Sequence, residues 1–297
     1  MFGINRDSMS KKKILLFGAT GMAGHIIYTY LKNTDNYVIV PIAYRNKLTD
    51  DCILLNVTNI DDVSELIRIQ KPHYIINCIG VLIKGSTNYP DNAIFLNAYF
   101  PHLLGKLGNE VGAKLIHIST DCVFSGIKGS YNEEDFKDAE DIYGKSKGLG
   151  EVISSNHLTL RTSIIGPELK QQGEGLFDWF MRQKGEIKGF TMSLWGGITT
   201  LQLAKGIHSA LENDLKGLVH VTNGEKISKF DLVILFKEIW DRSQITIKSI
   251  DGKVVDKSLQ KSQKFNFNVP TYEVMLLDQK EWMDNHKSLY NKVYSNL

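Results

Sequence analysis

The sequence predicts an α/β fold, a doubly wound parallel sheet, on three observations. Short β-branched runs recur along the first half of the chain, amphipathic stretches separate them, and a glycine-rich turn closes the first run. The runs are KILLFG (13–18), YVIVPIA (37–43), CILLN (52–56), YIINCIG (74–80), KLIHIS (114–119) and LTLRTS (158–163). Most are continuous apolar stretches, the pattern of strands buried on both faces of a parallel sheet. Helical periodicity over 22–33, 60–70, about 92–111 and 143–155 supplies the crossovers that parallel strands require.

Past Arg161 the rhythm changes. Helical stretches at 175–184, 200–213, 228–240 and 279–294 surround GFTMSLWGGITT and one further strand-like run, GLVHVTNGE. This predicts a first domain over 11–165, to which the chain returns around 195–222, and a smaller interleaved C-terminal domain from 166–194 and 223–297. Residues 1–10 read as a disordered or extra N-terminal segment, and the polar stretch 243–275 receives no assignment.

The bulk numbers narrow the function classes. The chain has 297 residues, 42% of them apolar, enough for a substantial core. A net charge of +2 with scattered lysines gives no stripe for nucleic acid. No apolar run reaches transmembrane length, and no secretory leader is legible. Cys52, Cys78 and Cys122 form no CxxC pair, and the eight histidines form no HExxH. The expectation is a reduced, cytoplasmic protein without disulfides and without a catalytic metal.

GATGMAG sets Gly18, Gly21 and Gly24 between the first strand and the first helix, with Thr20 and Met22 on the same loop. A pyrophosphate needs such a tight turn, close backbone approach and a helix N-terminus. In NAD-selective folds an acidic residue about 20 positions on binds the ribose 2′-hydroxyl. Here that count lands on Tyr44 and Arg45, and no acid follows until Asp50. Arg45 is suited to a 2′-phosphate, so NADPH is expected, with NADH possible.

HISTDCVFSG (117–126) runs off the fifth strand and delivers Ser119, Thr120 and Asp121 to the sheet's carboxyl edge, where ligands of open α/β sheets bind. About twenty residues later comes Tyr143-x-x-x-Lys147, whose spacing places both side chains on one helical face. A free phenol has a pKa of about 10, too high for ready proton exchange at neutral pH. A nearby ammonium favours the phenolate, and Thr120 can hold the oxygen at which charge moves.

GATGMAG, STDCVFSG, Tyr131 with Glu133, YGKSKGLGE and LRTSIIG together resemble the extended short-chain dehydrogenase/reductase superfamily, and within it the dTDP-4-dehydrorhamnose reductase group. The resemblance covers about 13–240. It implies a Rossmann domain binding NADPH and a C-terminal domain binding a nucleotide sugar, in a homodimer through helices such as 92–111 and 143–155. The catalytic set it implies is Thr120, Tyr143 and Lys147, with Lys147 also at the nicotinamide ribose. Asn97 matches an asparagine that supports the site, Cys78, Ile79 and Gly80 match the loop passing the cofactor ribose, and Ser163 a position near the nicotinamide. Ser119 joins the cofactor set. Asp121, Cys122, Trp195 and Thr199 are expected on the substrate side, Trp195 either stacking on a base or sugar or serving as inter-domain core.

The implied reaction is reduction of the 4-keto group of a nucleotide-linked 4-keto-6-deoxy sugar. Dehydratases of this scaffold carry Thr-Asp-Glu, and Cys122 stands where their glutamate would be. Cys122 also has the spacing of the cysteine in epimerase–reductases of the GDP-fucose synthase type, although no histidine follows Gly166-Pro167 in ELKQQGEGLF. A further alternative is a regulatory protein that binds NADP(H) without catalysis.

Overall fold

The computed structural model describes residues 11–294, so the N-terminal segment at 1–10 lies outside the described residues. The strands are β1 (Lys12–Phe17), β2 (Tyr37–Ala43), β3 (Ile53–Leu54), β4 (Tyr74–Asn77), β5 (Lys114–Thr120), β6 (Leu158–Thr162) and β7 (Ile164–Ile165). They continue with β8 (Gly185–Phe190), β9 (Ser193–Trp195), β10 (Ile198–Thr199), β11 (Gly217–His220), β12 (Ile227–Ser228), β13 (Ile245–Ile250) and β14 (Val255–Asp256). The helices are α1 (Gly24–Asn33), α2 (Ile60–Gln70), α3 (Ile83–Asn88), α4 (Pro90–Ala93), α5 (Phe100–Val111) and α6 (Ile142–Leu149). After them come α7 (Leu176–Met181), α8 (Thr200–Glu212), α9 (Lys229–Ile239), α10 (Tyr272–Asn285) and α11 (Lys287–Tyr294).

Seven strands form one parallel, Rossmann-type sheet in the order β11-β6-β5-β4-β1-β2-β3. Alternation within β1 explains its continuous apolar run. Ile14 and Leu16 join a core with Ile26, Leu31 and Leu203 from α1 and α8, while Leu15 and Phe17 join a second core with Ile67 and Leu104 from α2 and α5. Each fully buried leucine or isoleucine contributes about 1.5–3 kcal/mol relative to exposure. Both faces being covered, the strands have no polar side to show. The order reverses at β1, whose neighbours are β2 and β4. The crevice past the carboxyl ends of β1 and β4 is therefore the topological switch point.

The structure departs from the sequence expectation in several places. The helix at 92–111 is three pieces, because a π-helical turn at Ile94–Tyr99 interrupts it. The helix at 143–155 ends at Leu149, and Gly150 packs so tightly that an added Cβ would lie 1.8 Å from the Asn97 carbonyl oxygen. The final helix begins earlier, where Thr271 caps α10, and breaks at His286. The polar stretch 243–275 is structured: β13 pairs with β8, and β14 with β9. No helix among the described residues is long and apolar enough to cross a membrane.

Candidate active site

The glycine loop leaves β1 through Gly18, whose φ of 80° lies in the left-handed region. Gly18 and Ala19 donate their N–H groups to the Ile42 carbonyl at 3.0 and 2.9 Å, which fixes the loop against β2. A Cβ on Gly24 would lie 2.1 Å from the Gly18 carbonyl oxygen, so only glycine lets α1 start this close to the strand. Ala23 stands at the N-cap and gives no side-chain cap, so no side chain blocks the start of α1, where the His25 N–H donates to the Gly21 carbonyl at 3.3 Å. Thr20 and Met22 are half-buried on the same turn. Arg45 is exposed just beyond β2, its guanidinium 5.0 Å from the centre of the Tyr44 ring.

The loop after β4 forms the facing wall. Gly18 is in contact with Cys78 and Ile79, where an added Cβ would sit 3.1 Å from both. Burial pushes the Cys78 thiol up to about 12, although Lys147 opposes the shift. Gly80 is exposed. Asn97 lies in the π-helical turn and is 0% exposed. Its Oδ1 accepts from Val81 N–H at 2.8 Å, and its Nδ2 donates to the Val81 carbonyl at 3.0 Å and to Ser146 Oγ at 3.1 Å. Asn97 is thus a bracket joining the β4 loop to α6.

At the end of β5, Thr120 donates to Asp121 Oδ1 at 3.1 Å and accepts from Cys122 N–H at 3.1 Å. It also stands near the Tyr143 hydroxyl, whose ionised form it favours. Asp141 caps α6, accepting from Gly144 N–H at 2.8 Å, and so sets Tyr143 in the first turn facing Thr120. Burial pushes the Tyr143 phenol well above its ordinary range; Cys122 and Asp121 add to the rise, and Thr120 opposes it. Lys147 is not among the groups that shift Tyr143, and its amino group turns to β5. Lys147 Nζ donates to the Ile118 carbonyl at 2.7 Å and lies 3.4 Å from His117 Nε2. Burial brings it down to about 8, against Glu151 and Cys78.

Asp121 is buried and held above the usual carboxylate range by desolvation, which Lys257 and bonds from Thr120 and Ser163 partly offset. Burial and Asp121 push the Cys122 thiol up to about 12. At neutral pH it is a thiol, not the thiolate that an epimerising base requires.

Three expected contacts take other roles. Ser119 turns its hydroxyl to Glu151 Oε1 at 2.8 Å, away from the crevice. Trp195 is 7% exposed in the core, its ring beside Tyr272 and its Nε1 donating to Ser163 Oγ at 2.9 Å, so it is core and not a free stacking surface. Thr199 is buried and caps α8, accepting from Gln202 N–H at 3.2 Å. Sequence reasoning missed Lys257, which the loop carrying β14 brings beside Asp121, Cys122 and Asp138. It also missed His117, whose one available signal was a histidine inside an apolar strand. Among the described residues, no group of three or more His, Cys, Asp or Glu side chains is placed to hold a metal ion.

Comparison with known proteins agrees with this geometry. Residues 12–295 match the RmlD substrate binding domain family. The dTDP-4-dehydrorhamnose reductase of Salmonella typhimurium is 31% identical over 259 residues, covering 82% of this chain and 84% of that protein. Methionine adenosyltransferase 2 subunit beta of Bos taurus is 25% identical over 263 residues, covering 84% and 78%. The solved dTDP-4-dehydrorhamnose reductase from Bacillus anthracis, in complex with NADP, superposes with a TM-score of 0.78 at 23% identity and covers 92% of this chain and 99% of that one. With the sheet order, the glycine loop and these likenesses in agreement, the chain belongs to the RmlD substrate binding domain family.

Proposed function

We propose that the protein is an NADPH-dependent reductase acting on the 4-keto group of a nucleotide-linked 4-keto-6-deoxy sugar. The observation that carries the reading is the juxtaposition of Tyr143 and Thr120 at the carboxyl end of β5, with Lys147 on the same helix. The cofactor fits the residues present: a cradle that a Cβ on Gly24 would fill, and an α1 N-terminus without a side-chain cap. Bound NADPH supplies the hydride. Arg45, exposed beyond β2, is suited to a 2′-phosphate and favours NADPH over NADH.

Tyr143 gives its proton to the ketone oxygen. The upward push from burial keeps the phenol protonated at neutral pH, as an acid in the reductive direction must be. Thr120 holds the same oxygen, and Lys147 supplies a charge that burial has made easy to discharge. The substrate side is built from 166–194 and 223–297, with Asp121 and Lys257 at its junction with β5. Exposed Ile94, Tyr99, Leu149 and Ile153 support pairing of two copies through the π-helical turn and α6.

A panel of keto sugars on dTDP, UDP, GDP and CDP, with NADPH oxidation followed by absorbance and products by NMR, tests the reading. One member is reduced. Tyr143→Phe lowers turnover by about 10²-fold or more while NADPH still binds. Absence of turnover across the panel, in a protein that binds NADPH, favours the second reading, a non-catalytic NADP(H)-binding subunit. The likeness to methionine adenosyltransferase 2 subunit beta supports that second reading.

A further inference from the structure

His117 sits in the middle of β5, 0% exposed, directly across the ladder from Asn77 on β4. Its ring proton can be placed. Ile79 N–H lies 3.1 Å from Asn77 Oδ1, and a backbone N–H can only donate, so the amide orientation of Asn77 is fixed. Asn77 Nδ2 then faces His117 Nδ1 at 3.2 Å and donates to it. Burial, with Lys147 and His102 adding to it, holds His117 well below the ordinary imidazole range, so the ring is neutral. A neutral ring that accepts at Nδ1 carries its proton on Nε2.

That Nε2–H faces Lys147 Nζ at 3.4 Å. An ammonium has no lone pair with which to accept it. A neutral amine can accept from Nε2–H and still donate to the Ile118 carbonyl at 2.7 Å. The other groups facing Lys147 are Glu151 beyond α6 and Cys78 after β4, and both favour the charged form. Burial and the imidazole N–H stand against them.

We propose that His117 is a positioning residue: fixed as its Nε2–H tautomer by Asn77, it docks the Lys147 amino group on β5 and eases the loss of that group's proton. Lys147 is then a proton exchanger and not a permanent charge. The consequence for turnover rests on the reductase reading; the tautomer and its effect on Lys147 do not.

The test therefore starts without substrate or cofactor. Long-range proton–nitrogen NMR of the imidazole reads the tautomer directly, with His117→Gln identifying the resonances. The expected result is an Nε2–H pattern from pH 6 to 9, with ring shifts that move around the pH where Lys147 titrates, about 8. Lys147→Met abolishes that movement. An Nδ1–H pattern, or a ring indifferent to the Lys147→Met change, overturns the proposal.

Gln can turn an oxygen toward the ammonium, so in His117→Gln the pH at which NADPH affinity falls moves upward by about half a unit or more. A downward shift or none contradicts the proposal. A failed reductase reading shows differently, as absent turnover with the tautomer and the Lys147-dependent shift intact, and that outcome supports the role of His117.

Discussion

Replacing Glu151 by Gln probes the support beneath the candidate site. Arg161, on β6, is 1% exposed, and its Nε and Nη2 each donate to Glu151 at 2.7 Å. Lys137 Nζ lies 3.1 Å from the same carboxylate, and Ser119 donates to it at 2.8 Å. The remaining guanidinium nitrogen, Nη1, meets His220 Nε2 at 2.9 Å, and the Phe124 ring lies 4.9 Å from the guanidinium carbon. His220, brought down to about 4 by burial and by Arg161, is neutral and accepts from the guanidinium without balancing its charge. Glu151→Gln therefore leaves a buried guanidinium without its closest anion, a change that costs about 3–5 kcal/mol. At about 2–4 °C per kcal/mol for a domain of this size, the melting temperature falls by about 6–20 °C. The pH dependence follows from the same contacts. Burial pushes Glu151 up, but Arg161, Lys137 and Ser119 outweigh it and the net shift is downward. Its folded affinity for a proton is thus below the unfolded one, so its contribution is present above the ordinary glutamate range and is lost as pH falls through and below it. Calorimetry and urea titration from neutral pH down to acid measure both. A loss under about 1 kcal/mol, the scale of an exposed ion pair, would refute the argument that the pair is buried and uncompensated.

Gly24→Ala brings a Cβ to 2.1 Å from the Gly18 carbonyl oxygen, and the loop must move. Strain of about 1–3 kcal/mol is expected to appear as weaker NADPH binding, about 5- to 150-fold, in a fluorescence titration. Arg45→Asp removes the exposed cation beyond β2 and weakens NADPH by about 10- to 100-fold while NADH affinity is unchanged or improved, the worth of charge-assisted bonds to one phosphate. An unaltered ratio sinks the Arg45 assignment. Cys122→Ser leaves ketone reduction unchanged, because the thiol is protonated, and neither protein incorporates solvent deuterium into the sugar ring. Incorporation by the unsubstituted protein would revive the epimerase–reductase alternative.

The parts of the molecule legible in its sequence are those whose causes are local. β1 and β5 announce themselves because both faces are buried and no polar alternation interrupts them. Gly18 and Gly24 are legible because one turn requires a positive φ and one close backbone approach. Tyr143 and Lys147 follow from spacing on one helix. The rest depends on partners distant in sequence. Thr199 was expected to face substrate, but α8 takes its oxygen, and Trp195, open in sequence between stacking and core, is core, with Ser163 taking the indole N–H. Ser119 points at Glu151, thirty-two residues on. β13 escaped notice because it pairs only with β8 and exposes much of its length. Lys257 reaches the site because Ser258 and Leu259 pair with the loop at Tyr131, which no periodicity reveals.

The same distant contacts explain how the pair at the end of β5 can change state. Thr120 has one hydroxyl proton and two claimants, the Asp121 carboxylate and the Tyr143 oxygen. While Tyr143 is a phenol it can donate to Thr120, whose own proton then goes to Asp121 at 3.1 Å. Once the phenol has given up its proton, the stronger acceptor is the phenolate, and the hydroxyl proton turns toward it. Asp121 must then stand without that bond, and Lys257, Ser163 and Cys122 are the groups that remain to hold it. Burial by itself would hold Tyr143 in its protonated form. A hydroxyl that can turn between two acceptors gives a deeply placed phenol a partner in either protonation state.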